Sequence, residues 1–292
     1  MSNKDTPFDK NIRPIRCGNK IIDFTKPKIM GVLNLTPDSF YDGGKFKQEK
    51  IQIEQTAKML KEGADMIDLG AVSSRPGADI PDEEEELMRI VWPIQRLVKE
   101  FPEAIFSIDT FRAKVARECI ESGAHLVNDI SGGNMDDRMF ETVAKLKVPY
   151  ILMHMHGTPE VMQQSPVSGN ILEVVKYFFK EKTAQLEALG VKDIILDPGF
   201  GFGKTLACNY MMLQHLEQLR VNNYPLLGGV SRKSMINKVL NTKPSEALNG
   251  TTVLNTIALQ HGANILRVHD VKEAREVGEI VRFLKELEEC NE

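Results

Sequence analysis

Short apolar runs alternate with longer amphipathic segments from residue 29 to the end of the chain. The runs read KIMGVLN (28–34), MIDLG (66–70), IFSID (105–109), HLVND (125–129), PYILMH (149–154), DIILD (193–197), PLLGGVS (225–231) and NILRVH (264–269). Each has the length of a strand and is rich in Ile, Leu and Val. None alternates cleanly between apolar and polar, which is the pattern of parallel strands covered on both faces.

The intervening segments carry helical spacing. Residues 49–63, EKIQIEQTAKMLKEG, place apolar side chains three and four apart and stop at Gly63. Residues 81–101, PDEEEELMRIVWPIQRLVKEF, open on a proline and a run of acids, which the positive end of a helix dipole favours. Pro93 in their interior predicts a kink or a break. Residues 171–190 and 245–262 also close on glycine, and 271–289 are amphipathic and suited to seal a closed sheet. Eight strand-like runs alternate with about eight helical returns, with no linker and no repeat at a fixed period. This predicts one α/β (β/α)8 TIM barrel over about 28–290, within a single domain spanning 1–292. A doubly wound sheet is the alternative, and strict alternation of eight strands favours closure. Residues 12–26, IRPIRCGNKIIDFTK, predict a short N-terminal β-hairpin turning at Cys17-Gly18-Asn19.

Composition narrows the class. The chain of 292 residues is 42% hydrophobic and 27% charged, the make-up of an ordinary globular protein with a sizeable core. A formal net charge of -4 gives no basic footprint for nucleic acid. The opening MSNKDTPFDK lacks the apolar core of a signal peptide, and no apolar run approaches the ~18 residues of a membrane span. Cys17, Cys119, Cys208 and Cys290 lie far apart with no C-x-x-C, which suits a reducing compartment. The expectation is a cytoplasmic protein with neither nucleic-acid nor membrane partners.

In a barrel the functional residues sit at the C-terminal ends of the strands. Those ends carry Asn34, Asp68, Asp109, Asn128 with Asp129, His154, Asp197, Ser231 and His269. Strand-to-loop junctions are often polar for capping reasons, but a whole ring of carboxylates and amides points to a shared ligand site. Its type suits a flat heterocycle with an amide–amine edge. Cations lie nearby: Arg75, Lys204, Arg232, Lys233 and Arg267. The loops after the last two strands commonly bind phosphate in this fold, although Arg267 has an ion pair with a ring carboxylate as its purely structural alternative. Two glycine-containing loops, TPDSFYDGGKF (36–46) and SSRPGADIPDEEEE (73–86), have the length of lids. The pair His154 and His156, at i and i+2 on a strand, raises a zinc site, but matched further ligands are lacking. The stretch DPGFGFGKT (197–205) imitates a phosphate loop, yet Pro198 stands where a Walker loop needs glycine, and Lys204 where a dinucleotide loop needs its third. Its Gly-Lys-Thr is expected to begin a helix instead.

The motifs GVLNLTPDSFYDGG, SSRPGA, FSIDTFRAKVA, GAHLVNDISGG, MHMHGTP, ILDPGFGFGKT, GGVSRKSMI and ILRVHDV, in this order, resemble the dihydropteroate synthase family, the sulfonamide-target enzymes of folate synthesis. The resemblance implies a TIM barrel that joins 6-hydroxymethyl-7,8-dihydropterin pyrophosphate to p-aminobenzoate, with magnesium assistance. It implies that Asp109, Asn128, Asp197 and Lys233 line the pterin pocket, and that Asp109, Asp197, Lys233 and Arg267 carry catalysis. Asn34, Arg267 and His269 would hold the pyrophosphate, with Asn34 also helping to bind Mg2+. Ser74, Arg75, Pro76, Phe202, Lys233 and Ser234 would frame the p-aminobenzoate site, and Thr36, Asp38, Phe40 and Asp42 belong to the first lid. A dissociative, SN1-like substitution follows, with Asp109 and Asp197 facing the developing pterin cation. The family also implies a homodimer, which the long apolar faces of the late helices permit.

The chain departs from the family at Ser73-Ser74, where Ser-Thr is usual, and at Tyr41, Val72 and His156. A pterin-dependent corrinoid methyltransferase should lack the first lid and the SRKS segment, and both are present. A catalytically silent pterin-binding paralogue should have lost Arg267, Lys233 or the lid, and none is lost.

Overall fold

The computed structural model describes residues 11–35, 44–72, 80–158, 166–167 and 169–289. A hairpin of β1 (Ile15–Cys17) and β2 (Lys20–Ile22) precedes eight parallel strands. These are β3 (Lys28–Asn34), β4 (Met66–Gly70), β5 (Phe106–Asp109), β6 (Leu126–Asp129), β7 (Tyr150–Met153), β8 (Ile194–Asp197), β9 (Leu227–Gly228) and β10 (Ile265–Val268). They pair in the order β8-β7-β6-β5-β4-β3-β10-β9, and a parallel bridge from Leu196 to Leu226 joins the two ends into a barrel. Around it run α1 (Gly44–Lys61), α2 (Glu83–Glu100), α3 (Ala113–Glu121), α4 (Met139–Leu146), α5 (Ile171–Ala188), α6 (Leu206–Gln214), α7 (Ser234–Leu240), α8 (Leu248–Gln260) and α9 (Val271–Glu289).

Two expectations need correction. Helix α2 starts as predicted, with the Asp82 side chain accepting from Glu85 N at 2.8 Å, but it continues through Pro93 without a break. Ile90, Pro93, Ile94 and Leu97 form one buried stripe, and their packing offsets the backbone bond that proline forfeits. The seventh barrel strand is much shorter than residues 225–231. Pro225 has no N–H, the Asn264 side chain takes the Leu226 N–H at 3.0 Å, and Gly228-Gly229 offer no side chains to pack.

The period of two along each strand explains why the sequence hides its alternation. Ile29, Ile67, Leu69, Phe106, Ile108, Val127, Leu152, Leu196 and Leu266 point outward into the helix layer. The intervening positions point inward, and there polarity changes with height. At the bottom Met30, Met66, Leu126, Ile151, Ile195 and Ile265 fill the barrel, sealed by Ile15, Cys17, Ile22 and Phe24 from the hairpin. Two residues further along β4, β6, β8 and β10 the inward positions become Asp68, Asn128, Asp197 and Arg267, and β5 ends inward on Asp109. The hairpin therefore plugs the lower end of the barrel. Among the described residues no helix is long and apolar enough to cross a membrane.

Candidate active site

The inward polar residues form one network. Asp68 Oδ2 accepts from Asn128 Nδ2 at 2.9 Å and from Arg267 Nε at 2.6 Å. Arg267 Nη2 reaches Asp109 Oδ2 at 2.8 Å. Burial pushes the Asp109 pKa up to about 7; Arg267 opposes the rise, and the neighbouring charge of Asp68 adds to it. Burial disfavours the Arg267 charge, but Asp68 and Asp109 outweigh it and push its pKa up. The ion pair foreseen as the structural alternative for Arg267 is present, with two carboxylates rather than one.

The opposite wall is built by the loop after β8. Asp197 Oδ1 accepts from Gly199 N at 2.7 Å, and burial raises its pKa against the pull of Lys233. Lys233, the residue before α7, donates from Nζ to the Phe200 carbonyl and lies 4.3 Å from the Phe202 ring centroid. Burial lowers the Lys233 pKa to about 8, with Asp197 working against that fall. Lys233 thus lies within the field of Asp197 and against the Phe202 ring.

The last strands behave differently from one another. His269 Nδ1 is 3.0 Å from Ser231 Oγ, which also accepts from the His269 backbone N–H at 3.2 Å. Arg232, a candidate phosphate ligand by position, forms a two-pronged pair with Asp270 at 2.8 and 2.7 Å and anchors the turn into α7 instead. Asn34 ends β3 and is exposed, as is Ser234 at the start of α7. Thr36, Asp38, Phe40, Asp42, Ser74, Arg75 and Pro76 lie outside the described residues, as do Tyr41 and Ser73.

Two members of the sequence ring, Asp129 and His154, face elsewhere. Asp129 follows Asn128 and so points outward, where it accepts from Ser131 N and Oγ (both 2.7 Å), Gly133 N (2.9 Å) and Tyr150 Oη (2.6 Å). It shapes the loop after β6. β7 ends at Met153, so His154 and His156 no longer share a strand face: His154 is buried edge-on to Phe178 with centroids 5.0 Å apart, while His156 is exposed. Burial, helped by the Lys204 charge, drops the His154 pKa to about 2. Among the described residues no group of three or more His, Cys, Asp or Glu side chains could hold a metal ion.

Lys204 is the residue whose role the phosphate-loop mimic concealed. Its buried Nζ donates to the carbonyls of His154, Gly199 and Phe202, each at 2.9 Å. Burial lowers its pKa to about 7 against the attraction of Asp197. Thr205 caps α6, its side chain accepting from Cys208 N at 3.2 Å, so Gly-Lys-Thr does begin a helix. The fold of this loop needs glycine where it crosses β7: a Cβ on Gly199 would lie 2.1 Å from the His154 carbonyl oxygen. Asp68 is the second residue that sequence reasoning undervalued. Its signal was present as an acid inside the apolar run MIDLG, two residues above the inward Met66.

Comparison with known proteins gives the family and the fold. A family model described as pterin binding enzyme matches residues 30–269. The chain is 41% identical over 262 residues to the dihydropteroate synthase of Escherichia coli (strain K12), covering 89% of this chain and 92% of that protein. The Yersinia pestis dihydropteroate synthase, solved with a sulfonamide drug, superposes with a TM-score of 0.87 at 40% identity, covering 94% of this chain and 100% of the other. The Xanthomonas albilineans dihydropteroate synthase solved with 4-aminobenzoic acid gives a TM-score of 0.85 at 34% identity, over 93% of this chain and 98% of the other.

Proposed function

The chain belongs to the pterin-binding enzyme family, and on that footing we propose how its residues divide the synthesis of dihydropteroate among them. The reaction condenses 6-hydroxymethyl-7,8-dihydropterin pyrophosphate with p-aminobenzoate, releasing pyrophosphate. The observation that carries the assignment of roles is the convergence of Asp68, Asp109, Asn128, Asp197 and Arg267 on one end of the barrel.

In this reading the pterin lies among Asp109, Asn128, Asp197 and Lys233. Acceptors dominate that set, which matches the amine and N–H edge of a pterin, while the Lys233 ammonium serves the ring's acceptors. Arg267 presents a partly exposed side chain beside them and, with His269 and Asn34, meets the pyrophosphate. The exposed amide oxygen of Asn34 is a hard donor that fits Mg2+, an ion that keeps several waters and takes further ligands from substrate phosphates. Held there, Mg2+ would supply charge neutralisation for the leaving pyrophosphate.

The bond from the pterin methylene to the pyrophosphate oxygen breaks with its electron pair leaving on pyrophosphate. The resulting cation is conjugated into the ring, and the carboxylates of Asp109 and Asp197 stabilise it from a site whose dipoles are already oriented. The p-aminobenzoate amine then forms the new carbon–nitrogen bond and loses a proton. Phe202, Lys233 and Ser234 frame this second substrate; Ser74, Arg75, Pro76, Thr36, Asp38, Phe40 and Asp42, outside the described residues, are assigned to the same subsite by the family resemblance. Sulfonamides occupy the same subsite as p-aminobenzoate. Two copies of the chain associate through α9, which exposes Ile280, Phe283, Leu284 and Leu287 at helical spacing. The unpaired, buried Cys17, Cys119 and Cys208 suit a cytoplasmic enzyme.

The test mixes purified protein with the pterin pyrophosphate, p-aminobenzoate and Mg2+. Dihydropteroate and pyrophosphate should appear in equal amounts; formation of neither overturns the proposal.

A further inference from the structure

An amide is a donor on one side and an acceptor on the other, so the side that faces a ligand decides what the ligand must offer. Asn128 commits one N–H of its amide inside the protein: Nδ2 donates to Asp68 Oδ2 at 2.9 Å. The same oxygen accepts from Arg267 Nε at 2.6 Å, and Arg267 is in turn held by Asp109 at 2.8 Å, so the Asp68 carboxylate cannot swing away. Asp68 is fully buried and Asn128 is 2% exposed. Asn128 Oδ1 and Asp68 Oδ1 are both buried with no hydrogen-bond partner among the described residues. Turning the amide over would set its carbonyl against the carboxylate and leave its NH2 without that acceptor, which costs as much as any buried polar mismatch.

We propose that Asp68 is a positioning residue for pterin recognition: it locks the Asn128 amide with its carbonyl free for substrate, so that this wall of the pocket accepts only a ligand bearing a hydrogen-bond donor there. The inference rests on assigning this end of the barrel to a pterin, whose amino group and ring N–H provide such donors. Neighbouring Asp129 cannot substitute, because it faces the other side of the sheet and is saturated by Ser131, Gly133 and Tyr150. A ligand of the same shape with an acceptor at that position is rejected, since it would oppose one acceptor with another.

Removal of the acceptor at position 68 tests the idea. Asp68→Leu leaves the Asn128 amide free to turn its NH2 towards the substrate, whereas Asp68→Asn keeps a carbonyl oxygen that can still accept from Asn128 Nδ2 and Arg267 Nε. Asn128→Asp sets two carboxylates face to face. Asp68→Leu and Asn128→Asp should each weaken binding of 6-hydroxymethylpterin, followed by calorimetry, by about ten- to hundredfold. Asp68→Asn should recover most of that loss and bind within about threefold of the unaltered protein. In turnover, KM for the pterin pyrophosphate should rise in Asp68→Leu while KM for p-aminobenzoate stays within about twofold, a split that general loss of structure does not produce. The inference is overturned if Asp68→Asn binds no better than Asp68→Leu while its thermal midpoint is unchanged. It is equally overturned if Asp68→Leu, or Asp68→Ala should the leucine variant not fold, leaves the pterin KM unaltered. If the unaltered protein binds no 6-hydroxymethylpterin, the pterin assignment itself fails and the inference with it.

Discussion

Lys204 Nζ donates to the carbonyl oxygen of His154 at 2.9 Å, tying the loop after β8 to the end of β7. The same ammonium holds the carbonyls of Gly199 and Phe202, so three backbone acceptors share one buried charge. An ammonium has three N–H groups and here each has an acceptor, which is the condition for tolerating its burial. This loop carries Phe202 and the Gly199 N–H that orients Asp197. Lys204→Met nearly keeps the length of the side chain but strands the His154 and Phe202 carbonyls, while the Gly199 carbonyl keeps the Phe202 N–H at 3.1 Å. It should lower unfolding stability by about 3 kcal/mol or more in urea titration, and turnover should fall with it even though Lys204 is not itself placed against substrate. A loss under about 1 kcal/mol would mean that the loop is held by other contacts.

Asp109 gives a pH signature. Its pKa is pushed up to about 7, with burial the leading cause and Arg267 opposing. Stabilising a pterin cation needs the carboxylate, so kcat/KM for the pterin substrate should rise with pH through about 7, well above the ordinary carboxylate range. The effect on folding has the opposite sign. A raised folded-state pKa means that the proton-bound form is favoured by the fold, so this group's contribution to stability is complete below about 4 and is lost as pH rises through about 7. Asp109→Asn should nearly abolish turnover and flatten both dependences. An unchanged rate in that variant would remove Asp109 from the mechanism.

The fold and most of the site were legible because barrel strands buried on both faces announce themselves as apolar runs, and their last inward residues are polar. Asp109, Asn128, Asp197 and Arg267 could be placed at one end of the barrel from strand position alone. What stayed hidden depended on which way a side chain turns. Asn128 and Asp129 are adjacent in sequence, yet the two-residue period sends one into the barrel and the other into the helix layer. His154 and His156 looked like a pair only if β7 reached them, and it stops at Met153. Lys204 carried the signature of a phosphate ligand because a lysine among glycines serves carbonyl oxygens and phosphate oxygens by the same chemistry. Pro93 broke a local rule that the packing of α2 overrides.

Arg267→Ala separates the two substrates. Calorimetry should show weaker binding of the pterin pyrophosphate by a larger factor than of p-aminobenzoate. The variant should also be less stable by about 3 kcal/mol, because Asp68 and Asp109 are left buried without their counter-charge. Arg267→Lys keeps the charge but cannot reach both carboxylates with a rigid fork, and should recover part of the stability and little of the binding. Equal losses for both substrates would argue against a pyrophosphate role.

The exposed face of α9 tests the homodimer. Ile280 is 63% and Phe283 58% exposed, and Leu284 and Leu287 continue the stripe at 46% and 47%. Side chains of this size at three- and four-residue spacing form a continuous apolar surface on the outside of the last helix. Its removal from water would contribute about 25 cal/mol for each Å2 covered. A charge in the middle of such a surface opposes association without touching the barrel interior. Phe283→Asp should therefore sediment as a monomer under conditions where the unaltered protein sediments as a dimer, with its thermal midpoint lowered only as far as loss of the partner requires. Monomeric sedimentation of the unaltered protein at high concentration would show that this face serves another purpose.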